Sequence, residues 1–195
     1  VIGVVCAALC GYGLSRYQFK GKAFLLSFLL VTQMFPAVMK IIPYYKILVS
    51  VHLNNTQIGL MVVYASFSIP FCTWMMYGYF KSISTGLDEA ARVDGSSAFN
   101  TFLKIILPIA LPGLVATIIY AFLQNWNEYM FASVLMSADE KKTITYAIST
   151  MADAYKIQWN YLMCAAMISS VPTLTVFVVM QKYLIAGMTA GAVKE

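Results

Sequence analysis

Three of the eight acidic residues of this sequence lie in one short segment, 85–95. It places three carboxylates around two adjacent small residues and closes on a glycine: Asp88, Glu89, Ala90, Ala91, Asp94 and Gly95. The alanines would let another backbone approach closely, while the carboxylates offer fixed negative charge to a basic surface. These residue types suit binding of a protein partner rather than catalysis. The alternative is a solvated turn in which Asp88 or Glu89 pairs with Arg92 on its own helix, worth about 0.2–0.5 kcal/mol.

The spacing within this segment predicts about two turns of helix. Thr85 precedes Asp88 by three residues, which is the spacing of a capping box at a helix start. Gly95 stands where a helix end favours a residue with positive φ. We therefore expect a short, capped, acidic helix inside the loop 81–104.

A second group combines aromatic rings with amides and a carboxylate. Its members are Trp126, Asn127, Glu128, Tyr129, Tyr155, Gln158, Trp159 and Asn160. Sugar recognition uses this mixture, because ring faces cover the apolar face of a pyranose while amides and carboxylates bind its hydroxyls. The alternative is an aromatic belt at the membrane surface, which fits Trp159 and Tyr161 at least as well.

The remaining reactive residues give no catalytic or metal set. Cys6, Cys10, Cys72 and Cys164 all fall in apolar stretches and are best explained as packing residues. His52 is the only histidine, beside two asparagines. The sequence has no Gly-x-x-x-x-Gly-Lys-Ser/Thr phosphate loop. We expect no catalytic residue, no metal and no cofactor bound by this chain.

The elements that position these groups are membrane helices. Of the 195 residues, 61% are hydrophobic and 11% charged, which excludes an ordinary water-soluble enzyme. Several runs of residues without a charged side chain are long enough to cross about 30 Å of hydrocarbon as helices. We predict an all-α, polytopic transmembrane bundle forming one domain over 1–195. Its five spans are expected at about 1–15, 23–44, 58–80, 105–127 and 161–185.

Charge placement predicts the orientation. Arg16, Lys20 and Lys22 crowd into the first connection, which the positive-inside rule assigns to the cytoplasm. By alternation the loop 81–104 and the C-terminus are cytoplasmic, and the loop 128–160 lies outside. The net charge of +5 does not indicate nucleic-acid binding, because no basic run interleaved with aromatics is present.

A longer pattern connects these features. Glu89-Ala90-Ala91, Gly95, Ile105 and Leu107-Pro108 together resemble the EAA signature of membrane subunits of binding-protein-dependent ABC importers. Further similar segments are 12–22, 33–38 (QMFPAV), 126–132 (WNEYMFA) and 187–195 (GMTAGAVKE). The sequence is most similar to the second permease subunit of the maltose and multiple-sugar type, over essentially its whole length.

The resemblance implies a partnership. Such a subunit has six spans, so this chain is expected to lack the first. It pairs with a homologous permease and two ATP-binding subunits, which carry ATP and Mg²⁺, and receives a carbohydrate from an extracytoplasmic solute-binding protein. The EAA helix is then the coupling helix on the ATPase, with Glu89, Ala90, Ala91, Asp94 and Gly95 as contacts. The expected location is the cytoplasmic membrane of a bacterium or archaeon.

Three further assignments follow from the same resemblance. The tail residues Thr189, Ala190, Gly191 and Ala192 are expected to reach the ATPase as an extended segment, unless the terminus is disordered. Asp153, Ala154, Tyr155, Lys156 and Gln158 are expected to contact the binding protein. Gln33, Asn125, Asn127 and Glu128 are assigned to a neutral substrate pathway, although polar residues in spans equally serve helix packing.

Alternatives from other classes are less compatible with the sequence. A secondary transporter usually places a charged group near the membrane midplane, and a membrane hydrolase needs a nucleophile and base at that depth. The three uncharged spans offer neither a charge nor a histidine. An importer of polyols or glycerol-phosphate compounds stays open, since the sequence does not identify the solute.

Overall fold

The computed structural model describes residues 1–152 and 158–192, and this part of the chain is helical without a β-strand. The all-α prediction is therefore confirmed. We number ten helices along the described chain: α1 (Ile2–Arg16), α2 (Lys22–Met34), α3 (Ala37–Ser50), α4 (Gln57–Ser82), α5 (Gly86–Val93), α6 (Ala98–Ile109), α7 (Leu111–Trp126), α8 (Met130–Leu135), α9 (Ile144–Thr150) and α10 (Trp159–Ala192).

Two helices of the described chain, α4 and α10, are each long and apolar enough to cross a membrane. The pairs α2–α3 and α6–α7 also qualify if each is one bent span, while α1 is apolar but shorter. Together with α1 these make five units that overlap the five ranges expected to be spans, and the number of spans stays a prediction. The second and fourth are broken, so α3 continues to Ser50 and α6 already begins at Ala98.

A proline explains the first break, where α2 and α3 meet at 99°. Pro36 forces the preceding Phe35 out of the helical region, to ψ 124°. The break frees carbonyls at the end of α2, and the ammonium of Lys40 donates to the carbonyl of Thr32 at 3.0 Å. Lys40 is thus satisfied at the bend by a backbone acceptor, a partner that its place in the sequence did not suggest.

The second break lies at Ala110, where α6 and α7 meet at 81°. The middle of α6, Phe102–Ile106, is a π-helical turn that ends just before Pro108. Pro112 then occupies the first turn of α7, where its missing N–H costs nothing. Pro70 and Pro172, in contrast, lie inside the continuous helices α4 and α10.

Helix α4 is the centre of the bundle, with α1, α2 and α7 packed against it and α10 packed against α7. Its two ends belong to separate apolar cores. One core gathers Ala8, Tyr12, Met76, Phe80, Phe102, Ile106 and Ala110. The other gathers Leu48, Leu60, Val63, Phe131, Ala132, Leu135 and Met136. Burial at both ends fixes how α4 sits between its neighbours.

The crossing of α1 over α4 depends on Gly11. A Cβ added there would lie 2.8 Å from the Cβ of Met76 and 2.9 Å from the backbone nitrogen of Tyr77. Neither atom is the far end of a flexible side chain, so the helices would have to separate. Gly13, on the same helix, has open space around it.

We predict that Gly11→Ala destabilises the purified protein by about 1–3 kcal/mol, because overpacking forces backbone shifts. Gly13→Ala is the matched control. It should be neutral or stabilising by about 0.4–1 kcal/mol, since it only restricts the unfolded chain. Thermal unfolding in detergent measures both variants. Equal midpoints for the two would contradict the close crossing.

Candidate functional site

The acidic segment folds as the predicted two-turn helix, α5 (Gly86–Val93). Its end forms a Schellman motif: the N–H of Gly95 donates to the carbonyl of Arg92 at 3.0 Å, and that of Ser96 to Ala91 at 2.9 Å. Gly95 has φ +77°, which confirms the prediction of a positive φ at the helix end.

The predicted capping box at the start of α5 is wrong. Thr85 has helical dihedral angles, and its side chain makes no capping hydrogen bond. The hydroxyl of Ser84 instead accepts from the N–H of Gly86 at 3.2 Å. Asp88 does not reach back to the helix start because its carboxylate is taken by another helix.

The carboxylate of Asp88 is buried in an ion pair with Arg16 of α1. The Nε of Arg16 lies 2.8 Å from Oδ2, and both side chains are more than nine-tenths buried. The hydroxyl of Tyr12 donates to Oδ1 at 2.6 Å, while Nη1 of Arg16 donates to the carbonyl of Phe80 in α4 at 3.1 Å. The alternative pairing of Asp88 with Arg92 is therefore not formed.

The remaining residues of α5 separate into two faces. Glu89, Ala90, Asp94 and Gly95 are exposed, as binding of a partner requires. Ala91 is 3% exposed and faces the chain's own core, so its side chain is not on the open surface. Val93 is 87% exposed, which adds an apolar side chain to the acidic surface.

The tail and the outer loop are only partly described. Asp153, Ala154, Tyr155 and Lys156 lie outside the described residues, whereas Gln158 is exposed just before α10. The backbone of residues 189–192 continues α10 as helix, which differs from the extended segment we expected. The helix continues because no proline interrupts its last turns.

On the side of the bundle predicted to face outward, Glu128 lies shortly before α8, which begins at Met130. Its two carboxylate oxygens accept from the backbone N–H groups of Phe131 and Ala132 at 2.8 and 3.1 Å. The hydroxyl of Tyr64 in α4 also donates to it at 2.7 Å. Thr145 donates to its backbone carbonyl at 2.7 Å. Glu128 is thus half-buried and joins three segments of the chain.

Two other assigned pathway residues also bridge helices. The amide of Gln33 donates to the carbonyl of Phe67 at 3.3 Å. The amide oxygen of Asn125 accepts from Ser68 at 3.1 Å, and its nitrogen donates to the carbonyl of Ala121 at 2.6 Å. Both side chains therefore contribute to packing around α4. Asn127, in contrast, is exposed.

Asn127 and Glu128 line an open cavity of about 520 Å³ at the end of α7, with Tyr120, Leu123, Gln124, Tyr129 and Met130. The cavity contains two aromatic rings, two amides and one carboxylate, but no cationic side chain. Gln33 and Asn125 do not line it. Asn125 lies instead on a larger apolar cavity between α1, α6 and α7.

Several contributing residues were missed by the sequence interpretation. Tyr12 and Arg16 were considered only as part of a family motif and a basic loop, and Tyr120 was not considered. Arg16 sits at the end of an apolar helix, where a cation usually reaches water, so its burial could not be predicted from its position in the chain. Tyr120 could have been found from its spacing of four residues before Gln124 and seven before Asn127.

Among the residues that the structure describes, no three His, Cys, Asp or Glu side chains cluster as they would to hold a metal ion. All four cysteines are unbridged. In the loop after α8, the hydrogen bond from Lys142 holds the pKa of the exposed Asp139 below its ordinary value. The carboxylate of that pair is open to solvent while the Lys142 side chain is partly covered, so it is a contact at the surface of the loop.

Comparison with known proteins gives a consistent result. The model of the family "Binding-protein-dependent transport system inner membrane component" matches residues 1–190. The chain is 38% identical over its full length to the probable ABC transporter permease protein YurM of Bacillus subtilis, of which it spans 65%. It is 32% identical to the trehalose/maltose transport system permease protein MalG of Thermococcus litoralis, covering 98% of this chain and 69% of that protein.

The fold also matches a solved structure. A chain from the crystal structure of a bacterial ABC transporter, involved in the import of the acidic polysaccharide alginate, superposes with a TM-score of 0.75. The two sequences are 26% identical, and the match covers 93% of this chain and 70% of the other.

We predict that Glu128→Gln lowers stability by about 1–3 kcal/mol, because an amide cannot accept all three hydrogen bonds that the carboxylate accepts. The exposed Glu140 is the matched control, and Glu140→Gln should leave the unfolding midpoint unchanged. Thermal unfolding of both purified variants decides the point. A Glu128→Gln midpoint equal to that of the control would show that the carboxylate does not hold α8.

Proposed function

The chain belongs to the family of binding-protein-dependent transport system inner membrane components, and from this we propose that it is a membrane subunit of an ATP-driven carbohydrate importer. In this role it forms half of the translocation pathway. It transmits closure of the ATP-binding subunits to its membrane helices. The chain itself is a translocation subunit, and ATP with Mg²⁺ would be bound by its partners.

One observation carries this proposal: α5 is an exposed acidic helix anchored from behind. Glu89, Ala90 and Asp94 are exposed, while Asp88 and Ala91 are buried against the bundle. A helix that is fixed on one face and open on the other can transfer force from a bound partner to the spans. Its carboxylates would meet an Arg or Lys of the ATP-binding subunit.

The remaining partners follow from the family. A homologous permease would complete the pathway, and an extracytoplasmic binding protein would deliver the solute. We assign 153–158 to contact with that protein, and Thr189, Ala190, Gly191 and Ala192 to contact with the ATP-binding subunits. A C-terminus on the cytoplasmic side agrees with the basic loop after α1.

The chemistry of the outer cavity supports a neutral sugar as the solute. Gln124 and Asn127 offer amide donors and acceptors for hydroxyls, and the rings of Tyr120 and Tyr129 offer flat apolar faces. A glycerol-phosphate compound would need a cation, and the residues lining this cavity include none. The similarity to a trehalose/maltose permease points in the same direction.

The coupling role of α5 can be tested with Glu89→Ala. Loss of a charge-assisted hydrogen bond costs about 1.5–3 kcal/mol, which is about a 10–100-fold loss of affinity for the ATP-binding subunit. The complete complex should therefore lose the co-purified ATPase and its sugar transport. The matched control is Glu140→Ala, an exposed glutamate on the side predicted to face outward. Undiminished transport by Glu89→Ala would contradict the assignment.

The contact with the binding protein is tested by deleting 153–158. In proteoliposomes the deletion should abolish stimulation of ATP hydrolysis by sugar-loaded binding protein, while the subunits still assemble. Screening loaded binding proteins against the intact complex also identifies the sugar. If stimulation persists after the deletion, another segment receives the binding protein.

A further inference from the structure

The buried ion pair behind α5 joins three helices at one point. Asp88 belongs to the first turn of α5, Arg16 to the last turn of α1, and the carbonyl of Phe80 to the last turns of α4. We call the four residues Tyr12, Arg16, Phe80 and Asp88 the anchor. None of these four residues is among those that the EAA pattern assigns to contact with the partner.

The geometry of the anchor fixes the orientation of α5 as well as its position. Each oxygen of the Asp88 carboxylate has its own contact with α1: the hydroxyl of Tyr12 donates to Oδ1 at 2.6 Å, and the Nε of Arg16 forms an ion pair with Oδ2 at 2.8 Å. Two separate contacts prevent the carboxylate from rotating. Because both contacts come from one helix, α1, the start of α5 is held relative to α1 at two points.

The chain connection alone would not provide this constraint. Only Ile83, Ser84 and Thr85 separate α4 from α5, and the last two are exposed. Besides its ion pair with Asp88, Arg16 donates from Nη1 to the carbonyl of Phe80 in α4 at 3.1 Å. The anchor therefore holds α5 to α1 and α4 together, rather than to its neighbour in sequence alone.

The donors themselves are held by packing. The ring of Tyr12 lies at 5.7 Å from that of Phe80 and at 4.8 Å from that of Phe102, measured between centroids. All three rings are buried in the same apolar core. The phenol oxygen is thus aimed at Asp88 by a core that also contains the π-helical turn of α6.

We propose that Arg16 and Tyr12 are positioning residues for energy coupling. They hold Asp88 so that α5 presents Glu89 outward and moves as one body with the ends of α1 and α4. This inference rests on the proposed function. It adds that coupling efficiency depends on residues that never touch the ATP-binding subunit.

The test uses the complete importer with Asp88→Asn, which keeps an acceptor for Tyr12 but leaves the Arg16 cation without its partner. Tyr12→Phe removes only the phenol hydroxyl. The matched control is Asp139→Asn, which breaks an ion pair of 2.6 Å with Lys142 in the outer loop and changes an exposed carboxylate. Two quantities are measured in proteoliposomes: the amount of assembled complex and the sugar transported per ATP hydrolysed.

A positioning role predicts that sugar per ATP falls at least tenfold in Asp88→Asn and about two- to fivefold in Tyr12→Phe, per assembled complex. The control should match the wild type. A purely structural role predicts a different result: less assembled complex with unchanged sugar per ATP, which would overturn the proposal. A wild-type complex that transports no sugar would instead refute the proposed function.

If Asp88→Asn does not assemble, the double variant Arg16→Met with Asp88→Leu removes both charges and leaves no buried ion unpaired. This variant should assemble and still show at least a tenfold loss of sugar per ATP, because apolar contacts alone do not fix the orientation of α5 relative to α1 and α4. Normal coupling in the double variant, or its failure to assemble, would overturn the positioning role.

Discussion

The bundle depends on one constraint: a charged or polar side chain buried among apolar helices must find its partner within the protein. At one end of α4 the constraint is met by the ion pair of Arg16 and Asp88, and at the other by the contacts of Glu128. In both places a tyrosine hydroxyl donates to the carboxylate, at 2.6 and 2.7 Å. The two carboxylates determine where the short helices α5 and α8 begin relative to the long helix between them.

In this arrangement apolar packing holds the helices together, whereas polar contacts set the orientation of the short helices. Apolar packing contributes most of the burial along α4, yet it tolerates small rotations and shifts, because dispersion contacts are numerous and individually weak. A carboxylate whose two oxygens are each held by a polar contact tolerates much less rotation or shift. The short helix at each end is therefore oriented by a few polar contacts, while the long helices are held by the apolar surface that they bury against one another. The same division explains why α5 can be exposed on one face without losing its place.

Much of this fold could be predicted from the sequence. Uncharged runs of about 20 residues located the membrane helices, and Gly95 located the end of α5, because hydropathy and positive φ are local properties. The partner of Asp88 could not be predicted, since Arg16 is 72 residues away and carries no local mark of burial. The bends near Pro36 and Ala110 were only partly predictable. Proline breaks a helix at Pro36, whereas Pro70 and Pro172 are accommodated inside continuous helices by their surroundings.

Helix α10 gives the chain a mechanical property that follows from its length alone. The helix is 34 residues long, about 50 Å at 1.5 Å per residue, which exceeds the roughly 30 Å of a bilayer's hydrocarbon. It is held near its start, where the indole N–H of Trp126 donates to the carbonyl of Ser169 at 3.1 Å. From there to Ala192 the helix runs about 35 Å further. A rigid helix of this length that tilted by about 5° at α7 would carry its far end through about 3 Å.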